Sequence, residues 1–388
     1  MLYTVISRLD VEEFMAIISP LFGFPGAEGV DNPIWYIVMY LPILLFFFYG
    51  QKLQSWMILS DISKSLNRIK KMKEETKKEA VGYIKNELKP ENDPDERIDQ
   101  FLEYFTIMPV DTDPSGVMSK IEHIMLVRDD RVREEIKIIV PKADKVQISI
   151  AENLLEAASA LNFMFKIVRH FYLLGKKTSS IFVLAQLQMI MPLILQEAEA
   201  LTSAVETFKN GQPIGDGIGA MAAGRLMLGT KKKMIAKDTV YSEKKYKGRV
   251  LHLIKAEGPA GTVGQPGVAV EKVVSEMGVK ADTIIMIDAA LKMEGEKTGE
   301  LAEGIGAAIG GIGVDRFQIE AVATKNNIPL YAIVVKQSLI EAISAMRKEI
   351  AETSDTVGKR IDRIIDEKTK KGNKVIIVGV GNTFGVGQ

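Results

Sequence analysis

Residues 284–287 read Ile-Ile-Met-Ile and run straight into Asp288, within the stretch TIIMIDAALK from Thr283 to Lys292. A continuous apolar run of this length, bounded by turn signals, suits a strand buried on both faces. Such a strand needs cover on each side, which restricts the surrounding chain to an α/β arrangement. The run ends at a carboxylate, and the carboxyl ends of central strands are where open α/β sheets hold ligands and chemistry. Taken alone, Asp288 serves equally well as a helix cap or a lysine partner. Two other features favour chemistry: a second acid, Asp216, in GDGIGA, and a glycine-rich strand end, VIIVGVGNTFGVGQ, at the close of the sequence.

The texture around this strand begins at Gly211. Strands are expected at 250–254, 283–287, 330–335 and 374–380. Helices are expected at 217–228, 267–277, 315–325 and 338–353, and Lys231, Lys232 and Lys233 read as a solvated helix end. Strands alternating with helices predict a three-layer α/β domain over 211–388 with a largely parallel sheet.

Upstream the pattern differs. Asn32–Gln51 carries no formal charge and has the ~20 residues a helix needs to cross a bilayer. Trp35, Tyr36 and Tyr49 sit near its ends, as interfacial aromatic residues do. Acids dominate before it (Asp10, Glu12, Glu13, Glu28, Asp31) and bases after it (Lys52, Lys64, Arg68, Lys70, Lys71, Lys73). The positive-inside rule therefore predicts a single-pass protein of the cell membrane, with 1–31 outside and the rest cytoplasmic. No cleavable signal peptide is expected, and Val11–Phe22 reads as a short helix on the outer surface. Residues 52–94 read as a helical stalk with Leu59, Ile62, Leu66 and Ile69 on one face, ended by Lys89-Pro90 and Asp93-Pro94. Residues 95–210 read as helical, with a turn-rich break from Met108 to Gly116. Within them Thr178–Gln196 is a second uncharged run, expected as a buried bundle helix or a subunit interface, with a second span as the alternative.

Charge is balanced, with 50 basic and 50 acidic residues, so no global field argues for nucleic acid. The absence of Cys excludes disulfides and thiolate metal sites, and three His residues argue against a histidine-rich one. VIIVGVGNTFGVGQ looks like a phosphate cradle, but no helix follows it to receive a phosphate. No metal or cofactor is expected. Glu303–Gly313, EGIGAAIGGIG, reads as a substrate-binding loop that includes Gly310 and Gly311, because glycines cost a helix ~1 kcal/mol each.

The segment 211–345 resembles the germination (spore) protease family of aspartic-type endopeptidases, and more loosely the hydrogenase maturation proteases that share its fold. GDGIGA is similar to their acid-bearing loop, and ADTIIMIDAALK to their strand ending in Ile-Asp-Ala. HLIKAEGPAGTVGQPGVAVEKVV is similar to their strand, Pro-Gly turns and helix. EGIGAAIGGIGVDRFQIEAVATKNNIPLYAIVVKQSLIEAI is similar to the glycine loop, helix, turn and strand that follow. The family's opening strand, ending in Gly-x-Gly-Asn, is missing from its usual place. GVGN appears instead at Gly379–Asn382, so the order looks circularly permuted. The whole chain also resembles an archaeal membrane-protein family of unknown function.

The resemblance implies that Asp216 and Asp288 form a catalytic pair, one activating water while the other, protonated, polarises a scissile carbonyl. It implies that Asn382 lies beside them. Glu257 and His252 are further candidates for the site, His252 reading more readily as a surface histidine. The expected function is a membrane-anchored peptidase acting on protein or peptide. The alternative is a tethered, non-catalytic ligand- or nucleotide-binding scaffold. Either form is expected to be a homo-oligomer, because the apolar helices at 148–200 need partners.

Overall fold

The structure, a computed structural model, describes residues 33–104, 106, 117–311 and 313–387; for 33–49, 51 and 119 it describes the backbone alone. The expected outer segment 1–31, its helix at Val11–Phe22, the side chains that would define a span at 32–51, and the whole break at 108–116 lie outside the described residues.

Helix α1 runs unbroken over Pro33–Tyr83 and widens into a last π-helical turn at Ile84–Leu88. Pro90 disfavours helical conformation at Lys89, which takes a left-handed conformation at φ 47°. Helices α2 (Asp95–Glu103), α3 (Val117–Ile139), α4 (Lys145–Thr178) and α5 (Ile181–Lys209) follow. The start of α4 is fixed by a capping box. The Asp144 carboxylate accepts from the N–H groups of Val146 and Gln147, both at 2.8 Å, and Gln147 Oε1 accepts from the Asp144 N–H at 3.0 Å.

The helix expected as a stalk is one member of a three-helix bundle. Ile58, Ile62, Leu66 and Ile69 of α1 are buried against Leu161 and Val168 of α4 and Leu184, Leu187 and Met191 of α5. The apolar stripe was legible; its partners are 90 to 130 residues away and were not. Among the described residues one helix, α5, is long and apolar enough to cross a membrane, and only 22% of its most apolar stretch is buried. It packs in the bundle through Leu184, Leu187 and Met191, and most of that stretch is left uncovered.

The second half begins with a 3₁₀ turn at Gly215–Gly217 and helix α6 (Ile218–Leu226). Strands β1 (Lys232–Ala236), β2 (Thr239–Tyr246) and β3 (Arg249–Ala256) form an antiparallel meander. Lys247 and Gly248, both at positive φ, make the β2–β3 turn, as a tight hairpin requires. Next come α7 (Pro266–Glu271), β4 (Thr283–Leu291), β5 (Leu301–Ile305), α8 (Val314–Lys325), β6 (Leu330–Gln337), α9 (Leu339–Ile343), α10 (Lys348–Lys368) and β7 (Lys374–Gly379).

The sheet has seven strands in the order β1-β2-β3-β7-β4-β6-β5. The last strand is thus central, hydrogen-bonded in parallel to β3 on one side and β4 on the other. Val375, Ile376, Ile377 and Val378 are all fully buried. Ile285, Ile287 and Ile377 pack in one cluster with Ile218 of α6 and Ile361 of α10. Ile284, Met286 and Ile376 pack in another with Val270 of α7 and Ile319 of α8. Each fully buried aliphatic side chain is worth roughly 1.5–3 kcal/mol, so the strand's apolar alternation in both directions holds the domain together.

Three expectations change. The sheet is mixed: β3, β7, β4 and β6 are parallel, but β1-β2-β3 and β5-β6 pair antiparallel at the margins. Lys232 and Lys233 belong to β1 rather than to a helix end. The helix expected at 338–353 breaks between α9 and α10, because Ala345 bridges Ile214 and the Met346 N–H donates to Pro213 O at 2.7 Å. Tertiary pairing there wins over helical propensity.

Candidate active site

Strand β4 does not stop at Asp288. It continues to Leu291 beside β6, whereas β7 leaves it after the Ile287–Gly379 pair. Asp288 therefore sits where a central neighbour has ended, and its side chain occupies the gap. By alternation it shares a face with Ile284 and Met286, the face of α7 and α8. It is 6% exposed. The Ala289 N–H donates to its Oδ1 at 2.7 Å, and the Gly310 N–H also faces it. Burial first, and the charge of Asp216 second, push its pKa up to about 8.

Asp216 lies on the Gly215–Gly217 turn, brought in by close backbone packing. Gly219, on α6, sits so near the sheet that a Cβ would fall against the carbonyl oxygens of Ile287 and Val380. At Gly381, φ is +119° and a Cβ would meet the Asp216 carbonyl oxygen. Glycine is required at both positions for this approach. The Asn382 N–H donates to Asp216 Oδ2 at 2.7 Å. Burial raises the Asp216 pKa, while that N–H lowers it.

Both acids line one cavity of about 400 Å³, together with Gly310, Gly311, Gly381 and Asp315. Asp315, at the start of α8, accepts from the Gly267 N–H at 2.8 Å, and burial pushes its pKa up. The outer wall comes from the helical half: Glu122, Met125, Leu126 and Asp129 of α3. Gln318 of α8 donates to Glu122 at 3.1 Å and ties that wall to the sheet domain. The described lining has five carboxylates and no Lys, Arg or His. Among the described residues no group of three His, Cys, Asp or Glu stands close enough to hold a metal ion.

The expected site residues fall into three groups. Asp216, Asp288, Gly310 and Gly311 meet at the cavity. Asn382 reaches the site through its backbone, since its Oδ1 accepts from the Phe384 N–H at 2.9 Å in a local turn. Glu257 does not reach it. The end of β3 directs Glu257 to the junction with the helical half, where Lys145 pairs with it. His252 is buried rather than on the surface, with Nδ1 2.7 Å from the Tyr241 hydroxyl, and burial lowers its pKa. The loop expected over 303–313 is strand β5 up to Ile305.

The residues that sequence reasoning missed are Asp315 and the α3 wall. Asp315 had a signal: like Asp216, it stands at the start of a helix just behind glycines, here Gly310, Gly311 and Gly313. Glu122, Met125, Leu126 and Asp129 are spaced as one helix face, which shows a face but not what it covers.

Two family descriptions match the chain: Protein of unknown function (DUF1512) N-terminal domain over residues 36–211, and Domain of unknown function (DUF1512) C-terminal over 214–387. Nothing matches among curated proteins or among solved structures.

Proposed function

We propose that this chain, which belongs to the DUF1512 family of proteins of unknown function, is a membrane-tethered hydrolase of peptide bonds working through Asp216 and Asp288. One observation carries the reading. Two acids far apart in sequence line one cavity, and burial plus the charge of Asp216 keep Asp288 protonated at neutral pH. That is the division of labour an aspartate pair needs.

With one proton shared by the pair, Asp216, whose carboxylate the Asn382 N–H stabilises in part against the burial that raises its pKa, takes a proton from water as the oxygen attacks the scissile carbonyl carbon. Asp288 gives its proton to the carbonyl oxygen, which becomes the hydroxyl of a tetrahedral intermediate. Collapse of that intermediate expels the amine, which leaves with a proton returned from the pair. The resemblance of GDGIGA and ADTIIMIDAALK to spore-protease segments supports a peptide bond as the target. The five carboxylates of the described lining count against a nucleotide, whose phosphates they would repel.

The reading includes a three-layer α/β domain in the cytoplasm and a single span at Asn32–Gln51 with the amino terminus outside. The acid-before, base-after flanks and the continuity of α1 into the bundle support it. Exposed Phe163, Met189 and Leu193 on the bundle's flank support self-association.

The test uses the full chain in nanodiscs with a fluorogenic peptide library. Asp216→Asn and Asp288→Asn should each lower cleavage about 10²–10⁴-fold, the usual worth of a general acid or base, with an unchanged circular dichroism spectrum. Turnover that survives both substitutions would remove the pair from catalysis. A wild-type chain that cleaves no peptide would end the peptidase reading.

A further inference from the structure

The turn between α4 and α5 lies at a particular height along α1. Asp61 of α1 accepts from Gln188 of α5 at 3.4 Å, and Glu79 pairs with Lys209 at 2.9 Å. The two helices therefore run parallel, in near register. Ile181 is seven residues before Gln188, about 10 Å at 1.5 Å per residue, which brings it level with Gln54. The uncharged run of α1 ends at Gln51. The hairpin tip is thus level with the point where α1 would leave a bilayer.

The tip has the composition of an interfacial element. Leu173 and Leu174 of α4, Phe182 of α5, and Leu53 and Trp56 of α1 are all exposed, Phe182 by 68% and Trp56 by 66%. Lys176 and Lys177 are exposed beside them, and among the described residues no carboxylate pairs with either. From Ala157 to Gln196 the chain has no Asp or Glu, while it carries Lys166, Arg169, Lys176 and Lys177. Apolar and aromatic side chains ringed by cations match the headgroup layer of an anionic membrane. The tip is also firmly built. Gly175 lets Leu184 approach so closely that a Cβ would overlap its side chain, and the Ser180 N–H donates to Gly175 O at 3.2 Å.

We propose that the α4–α5 hairpin tip is a second membrane contact, seated in the headgroup region of an anionic bilayer beside the exit of α1. It fixes the bundle upright and holds the α/β half at a set distance from the lipid. The proposal rests on the reading of 32–51 as a span. By the same register, α5 lies beside the charged part of α1, from Asp61 to Glu79, so it is not a second span in that bilayer.

Because the chain has no native cysteine, single-cysteine labels are clean probes. The full chain carrying Met39→Cys, Ser179→Cys or Glu206→Cys, each with an environment-sensitive fluorophore, is reconstituted in nanodiscs containing lipid spin-labelled in the headgroup region for positions 179 and 206 and in the mid-acyl chain for position 39. The expected result is strong quenching at position 179, at least twofold above that at 206. Quenching at 179 should be greater with anionic than with zwitterionic lipid, and should fall to the zwitterionic level in Lys176→Glu/Lys177→Glu. Quenching at 39 without quenching at 179 would leave the span standing and overturn the proposal. Quenching at neither position would remove both. Lipid-independent cross-linking of Ser179→Cys to a second copy in detergent would assign the tip to a subunit interface and also overturn the proposal.

Discussion

Asp288 is a carboxyl group that the fold prefers neutral. Its pKa in the folded chain is about 8, against an ordinary value near 3.9. Between about pH 4 and pH 8 the folded state therefore keeps a proton that the unfolded state has released. Stability from this group is full below that window, falls as pH rises through it, and is flat above it. Burial also raises Asp216 and Asp315, which act in the same direction. Urea unfolding of the wild type should show a higher midpoint at pH 5 than at pH 8.5. Asp288→Asn, which cannot ionise, should reduce that difference, with the larger relative gain at pH 8.5; equal pH dependence in the two proteins would refute the assigned shift. Both acids were visible in the sequence, as the end of an apolar run and the centre of a glycine turn. The shift was not, because it depends on what buries each carboxylate and on the distance between them.

At the scale of elements, β7 decides the site. It separates β3 from β4, its early exit opens the gap that Asp288 fills, and the chain beyond it supplies the N–H that holds Asp216. Ile376 and Ile377 face opposite clusters, so each closes a different side. Ile377→Ala should lower the unfolding free energy by about 2–5 kcal/mol, the usual range for a fully buried Ile, read from urea titration by circular dichroism. A change below ~1 kcal/mol would mean that the strand is not a core element. Runs such as VIIV announce a buried strand but not its position in the sheet. The margins were less legible: β1 and β5 carry Lys, Glu and Gly and read as a helix end and a loop, and β2, with Glu243, Lys244 and Lys245, has no continuous apolar run to announce it.

At the scale of the whole molecule, the helical half is part of the site. α3 walls the 400 Å³ cavity through Glu122, Met125, Leu126 and Asp129, and its next turns line a second cavity of about 570 Å³ between the halves. The junction there is ionic: Arg133 lies 2.6 Å from Asp238 on the β1–β2 turn and 3.5 Å from Glu152, all with side chains no more than 25% exposed. The tail joins the halves as well, with Phe384 edge-on to Phe208 of α5 at 5.2 Å. Arg133→Ala should weaken this docking by about 1–3 kcal/mol, between the worth of exposed and fully buried pairs. It should show as faster limited proteolysis between the halves and as weaker cleavage of substrate, whereas unchanged proteolysis would mean that α3 is held mainly by its apolar contacts.

The sequence by itself determined the elements whose signal is local. These are the apolar runs of the parallel strands, the glycine turns around Asp216 and Gly381, and the stripe of α1. Each depends on side-chain periodicity or backbone freedom within a few residues, and both can be read without knowing the partner. Only the tertiary structure decided what those elements face: β7 in the centre of the sheet, α4 and α5 wrapped on α1, α3 closing the acidic cavity, and Glu257 turned away to Lys145. These are choices among distant surfaces of similar apolarity or charge, and they are settled by packing across long sequence separations.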